Sequence, residues 1–206
     1  TGAATHLGSD GNEPSIAIDS SLLGGMYSGK ITVLATDAGS GVNMQGAMAS
    51  SAGEMVLTAD GQLVMRSAKA KGAAKATSRK NRVQVTDTLY SDAAVELTGL
   101  TGVDVAANAL VAANGDVSVT GDTTLAQGAI IGAGVTNTGQ QQASGALTIK
   151  GTNVSLGEGQ VVGGAAVNIE ATTLDLSRSA ATGTDTLRSL GTTSLKADTV
   201  LATNGV

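Results

Sequence analysis

Seven cations crowd into one short stretch of this chain. The segment "RSAKAKGAAKATSRKNR" at 66–82 holds Arg66, Lys69, Lys71, Lys75, Arg79, Lys80 and Arg82, seven of the twelve basic residues, and not one acid. Side chains of this kind do electrostatics rather than bond-making chemistry, because they donate to phosphate, sulfate or carboxylate without gaining or losing electrons. Two uses compete for the run. It can be a solvated insertion or outward face of the fold, or it can contact a polyanion such as a sulfated glycan or lipopolysaccharide. For the second use Lys69, Lys71, Lys75, Arg79 and Lys80 are the candidate ligands. The net charge of -5 leaves -12 outside the segment (-5 minus +7), so a polyanion would be drawn there alone, and general attraction to nucleic acid is not expected.

Covalent and metal chemistry find little to work with. His6 is the only histidine and sits in a Gly/Ser-rich leader, away from any triad partner. Without cysteine there is no thiol nucleophile and no thiolate zinc site, and one histidine cannot build a helix-borne zinc motif. Glu96, Asp104 and Asp175 each lie between two apolar strand residues, so alternation turns them outward. Their counterparts at the repeat spacing are Ser118, Thr148, Asn168 and Ser155, which makes mixed polar ladders rather than two acids facing across a groove. No catalytic centre, no metal site and no cofactor is expected.

The elements that would hold these residues are short strands. Two-residue apolar alternation recurs at Val83 and Val85, Val95 and Leu97, Val103 and Val105, Val117 and Val119, Leu147 and Ile149, and Val167 and Ile169. Between them stand turn residues such as Asp60-Gly61 and Asn114-Gly115-Asp116. With 29 glycines, one proline, two tyrosines and neither Phe nor Trp, the core must be thin and aliphatic. No apolar run is long enough to span a bilayer as a helix.

The strands also repeat at longer range. Val95 to Val117 is 22 residues, Val117 to Leu147 is 30 and Leu147 to Val167 is 20, while Val103, Val154 and Leu174 follow their partners by 7 or 8. A two-sheet sandwich explains the alternation but not this paired register. The spacing predicts an all-β parallel β-helix, a β-solenoid with about 20 residues per turn and nine or ten turns. Residues 1–14 read as a flexible leader and 15–206 as one β-helix domain. The 30-residue interval makes 131–145 a loop insertion.

One segment carries a resemblance. Residues 15–63 contain "LGGMYSGKI", "TDAGSGV" and "SAGEMVLTADGQL", and this stretch resembles the filamentous-haemagglutinin-like exoproteins of bacterial two-partner secretion, including large adhesins and contact-dependent growth-inhibition proteins. It covers about a quarter of the chain. The resemblance implies an internal fragment at the junction of secretion domain and repeats, secreted to the surface of a Gram-negative cell, and a right-handed parallel β-helix, in line with the right-handed preference of parallel crossovers. The expected function is that of a non-enzymatic rod, with an adhesive module binding glycans through 66–82 as the alternative. It implies an outer-membrane two-partner-secretion transporter as partner of the full-length protein, and surface glycans as candidate contacts. The absence of cysteine fits a chain threaded unfolded through a pore, which a disulfide-closed loop would stall. Gly24, Gly25 and Gly29 read as turn glycines, with Met26 and Tyr27 filling or capping the interior.

Overall fold

The computed structural model of the chain describes residues 15–20, 24–179 and 186–204. The expected leader at 1–14, with His6, lies outside them. Nineteen strands and no helix make up the described residues, and every strand-to-strand pairing is parallel. The chain winds as a solenoid of about seven turns with roughly 21 residues each.

One coil shows the plan. Arg82–Ser91 serves two faces in succession, Val95–Gly99 makes the third, and Gly102–Val105 begins the next coil on the first face. Gly102–Val105 pairs with the first half of Arg82–Ser91 and Leu110–Ala113 with its second half, so the faces are separate sheets joined at a corner. Alternation then sorts side chains: along Val95–Gly99 the valine and leucine are buried and Glu96 is exposed.

The register converts sequence spacing into vertical ladders. On the first face Val42, Leu63, Val83, Val103, Thr123, Val154 and Leu174 stand one above another, all buried. On the third face Val95, Val117, Leu147 and Val167 do the same, as their spacing requires. Thr123 is the rung that the hydrophobic pattern passes over; its hydroxyl donates to the Gly121 carbonyl, which is what lets it be buried. The expected nine or ten turns are too many, because the chain spends 31 residues between Thr123 and Val154 and 26 between Leu174 and Val200. At about 4.8 Å per turn the stack is roughly 35 Å long.

Corners explain the glycine content. At several corners the backbone rides on the backbone of an adjacent coil, leaving no space for a side chain. A methyl group on Gly61 would strike the Gly39 carbonyl, and one on Gly121, whose φ is +121°, would strike that of Gly99.

Two expectations need correction. Tyr27 neither fills nor caps the interior: it is 73% exposed, because Met26 shares the inward column with Met48 and the next residue must turn outward. Residues 131–133 are not loop either, since Ile130–Ala133 is a strand and Ile131 is fully buried. The irregular stretch is 134–145, with one antiparallel bridge between Val135 and Gln141.

The ladder predicts a sharp contrast between adjacent residues. Val117→Asp, which puts a charge between Val95 and Leu147, should cost about 3 kcal/mol or more. Ser118→Lys, facing solvent beside Glu96, should stay within about 0.5 kcal/mol of the parent chain. Urea unfolding followed by circular dichroism reads both, and equal losses would contradict the inward and outward assignment.

Candidate functional site

The basic segment is a coil of the solenoid, not an insertion in it. Leu63–Ala70 and Ala74–Ser78 carry it, with Ala68, Ala70, Ala74 and Ala76 buried and the cations outward. Met55 and Met65 reach the space beside Ala74 and Ala76, filling a rung that alanine alone leaves thin. Because 66–82 is nearly one full turn, its seven cations form a belt round the rod instead of one patch.

The five candidate ligands are accordingly spread. Lys69 projects from the second face and Lys71 from the corner after it. Lys75 lies on the third face, and Arg79 and Lys80 at the corner leading back to the first.

The neighbouring coils answer this belt with acids. Lys71 Nζ lies 2.7 Å from Asp92, Lys75 Nζ 3.2 Å from Glu96, and Arg82 3.3 Å from Asp104. Arg66 stands 4.0 Å from Asp87, while Lys80 reaches back 2.9 Å to Asp60 on the preceding coil. Lys75 and Glu96 are direct neighbours across the parallel ladder, so the 21-residue offset between them is itself the contact. Among the described residues Lys69 has no carboxylate partner, while Arg79 forms no salt bridge but its charge helps to hold the Asp60 carboxyl down.

A second feature lies on the outer side of the second face. Residues 134–145 leave the coil through a narrow neck and fold over that face. At the neck Gly134 (φ +66°) and Gly145 (φ +83°) sit side by side, and the Gly134 N–H bonds the Gly115 carbonyl at 3.0 Å. Asp116 accepts the Ala146 N–H at 2.8 Å, which fixes the return. Val135 packs on Gly132, and the Gln141 amide donates to the Gly163 carbonyl at 2.8 Å.

Between this excursion and the sheet runs a groove of about 660 Å³. Leu110, Ile130 and Val162 contribute apolar floor, with Ala112 fully buried beneath, and Thr88, Asn137 and Gln160 contribute polar groups. Lys69 and Lys71 lie toward one end and Arg188 toward the other. Tyr90 is almost buried there; its hydroxyl donates to Asp92 and accepts the Asn137 backbone N–H. Burial first, and then the charge of Asp92, push its phenol above the ordinary range.

No short-range motif marks this groove. Lys69, Tyr90, Ala112, Gly132, Val162 and Arg188 share one outward column, at spacings of 21, 22, 20, 30 and 26 residues. Only the register could have found them. Among the described residues no cluster of His, Cys, Asp or Glu could hold a metal ion, and no helix is long and apolar enough to cross a membrane.

Several of the carboxylates that join coils are held below their ordinary range. The Lys71 hydrogen bond does this for Asp92, and the Lys30 hydrogen bond for Glu54. The Gly39 N–H followed by Lys80 does it for Asp60. For Glu170 it is the hydrogen bonds from Lys196 and then Lys150, and for Asp122 the side chain and then the backbone of Asn153. A carboxyl whose pKa is depressed on folding stabilises the fold above its unfolded value, roughly 4, and that contribution disappears as pH falls through the folded value. The urea midpoint should therefore be flat from about pH 8 to 5 and drop below about pH 4. A midpoint unchanged down to pH 2 would contradict the inter-coil pairing.

Comparison with known proteins gives a partial match. The chain is 45% identical over 62 residues, 30% of its length, to Toxin CdiA of Yersinia pestis. It is 42% identical over 62 residues to tRNA nuclease CdiA-2 of Burkholderia pseudomallei and 37% identical over 71 residues to Toxin CdiA of Escherichia coli. The matched stretch spans 2% of the length of each of these proteins. No family model matches the chain, and no solved structure does. The similarity to CdiA toxins over about a third of the chain, together with the parallel coil, is consistent with a fragment of a filamentous-haemagglutinin-like two-partner-secretion exoprotein.

Proposed function

We propose that this chain is a structural rod segment of a contact-dependent-inhibition-type exoprotein, secreted by two-partner secretion and displayed on a Gram-negative cell surface. The observation that carries this is the continuity of the stack. Seven buried rungs of one ladder run without interruption on the first face, and neighbouring coils are tied by backbone pairing and by salt bridges. Such an object transmits length and stiffness. Each coil contacts only its neighbours, so the rod can be extended coil by coil while a distal module is held away from the cell. On this reading the rod itself has no enzymatic part, and the nuclease names of some relatives refer to the other 98% of those proteins (100 minus the 2% matched). The partner of the full-length protein would be an outer-membrane transporter of the two-partner type.

The pairing within 66–82 favours the rod over an adhesive module that binds glycans through the whole segment. Of the seven cations, five, Arg66, Lys71, Lys75, Lys80 and Arg82, stand beside acids of adjacent coils, which gives the belt a part in joining coils.

A spacer tolerates removal of a whole unit and not of a fraction. Excising 103–122 from the full-length exoprotein brings Thr123 into the place of Val103, its ladder neighbour. Surface display of the distal part, read by antibody labelling of intact cells, should survive this deletion. Excising only 103–112 should abolish display, because the remaining half-coil puts every later strand on the wrong face. Loss of display or of growth inhibition on removal of the whole coil would show that the segment does more than space.

A further inference from the structure

We propose that the groove on the second face binds an anionic oligosaccharide lying along the rod axis. The site stands apart from the spacer role, which needs no groove. Its shape is set by the excursion at 134–145, which covers Ala112 and Gly132 and walls the groove that runs beside them over Leu110 and Ile130. From the Lys69 rung to the Arg188 rung is five steps of the outward column, about 24 Å at the inter-strand spacing. That is the length of a short oligosaccharide.

Charge selects the ligand. Three cations, Lys69, Lys71 and Arg188, line the groove against a single acid, Asp92, in a chain whose net charge is -5. Asp92 is already engaged by Lys71 at 2.7 Å and by the Tyr90 hydroxyl. Lys69 and Arg188, toward the two ends, have no carboxylate partner among the described residues, so each is available to a carboxylate or sulfate of a bound chain.

The lining favours a saccharide over an acidic peptide. An extended peptide brings a row of N–H and C=O groups that needs an open sheet edge, and here the sheet turns its face to the groove with its ladder already paired. Sugar hydroxyls both donate and accept, which suits the amides of Asn137 and Gln160 and the hydroxyl of Thr88. The CH faces of the rings would lie on Leu110, Ile130 and Val162, which keep part of their surface open.

Titration calorimetry of this chain with a galacturonate tetrasaccharide tests the proposal, with a neutral galactose tetrasaccharide and tetraglutamate as comparisons. The uronate should bind more tightly than either. Lys69→Gln and Arg188→Gln should each weaken it about two- to fivefold, and the pair about tenfold. The triple replacement of Lys75, Arg79 and Lys80 by Gln, on the other sides of the same belt, should leave the affinity unchanged. Amide shifts on adding the uronate should fall on Tyr90, Ala112 and Val162 and spare Val95–Gly99, a readout independent of any variant. The proposal is overturned if the uronate does not bind, if the triple replacement weakens it as much as the groove pair, or if tetraglutamate binds as well through the same residues. None of these results would alter the outcome of the coil excision, so the two readings fail separately.

Discussion

Everything in this molecule depends on parallel pairing between one coil and the next. Each strand satisfies its backbone by hydrogen-bonding to the strands a turn before and a turn after, so position n is held about one inter-strand spacing from position n plus roughly 21. This constraint is unusual in acting on identity as well as hydrophobicity. Whatever side chain occupies a position must tolerate its counterpart on the adjacent coil at very short range. Aliphatic residues tolerate one another inside, small hydroxyl residues tolerate one another outside, and at the tightest corners, such as Gly61 and Gly121, glycine accommodates the approach of a neighbouring carbonyl.

Charges obey the same rule with the opposite preference. Like charges stacked at this spacing would repel along the rod, so a coil rich in cations calls for acids on the coils beside it. The pairs joining Lys75 to Glu96 and Lys71 to Asp92 are that answer. Each pair is well exposed and individually weak, and salt would screen it. Their collective effect is in registry as much as in stability: a slip of one residue would put Lys75 out of line with Glu96 and turn the alanines beside it outward.

The excursion at 134–145 shows how such a stack admits irregularity. Its neck closes between Gly134 and Gly145, so the coil beneath passes its corner almost as if nothing had been added, and the pairing of Ala146–Ser155 with the coil before it continues in register. Surface loop length costs little once the ends are held together. The added residues are then free to shape one face of an otherwise uniform rod.

The aliphatic alternation and its long spacing were enough to specify a parallel coil and to align Val95, Val117, Leu147 and Val167, because a two-residue period names the buried face and a repeat names the stacking partner. The same reasoning passed over the coil of 66–82, since alanine carries too weak a hydrophobic signal to reveal the inward positions between the lysines. Nor does the run of seven cations show by itself how they are distributed in space. Only the tertiary structure wraps them round the rod and sets five of them against acids of adjacent coils. The groove was invisible for a different reason: Lys69, Tyr90 and Arg188 become neighbours or share a column through the summed lengths of coils, one of which contains the excursion. Local sequence determines which way a side chain points; which distant side chains it stands beside is decided by how many residues each coil spends before it returns.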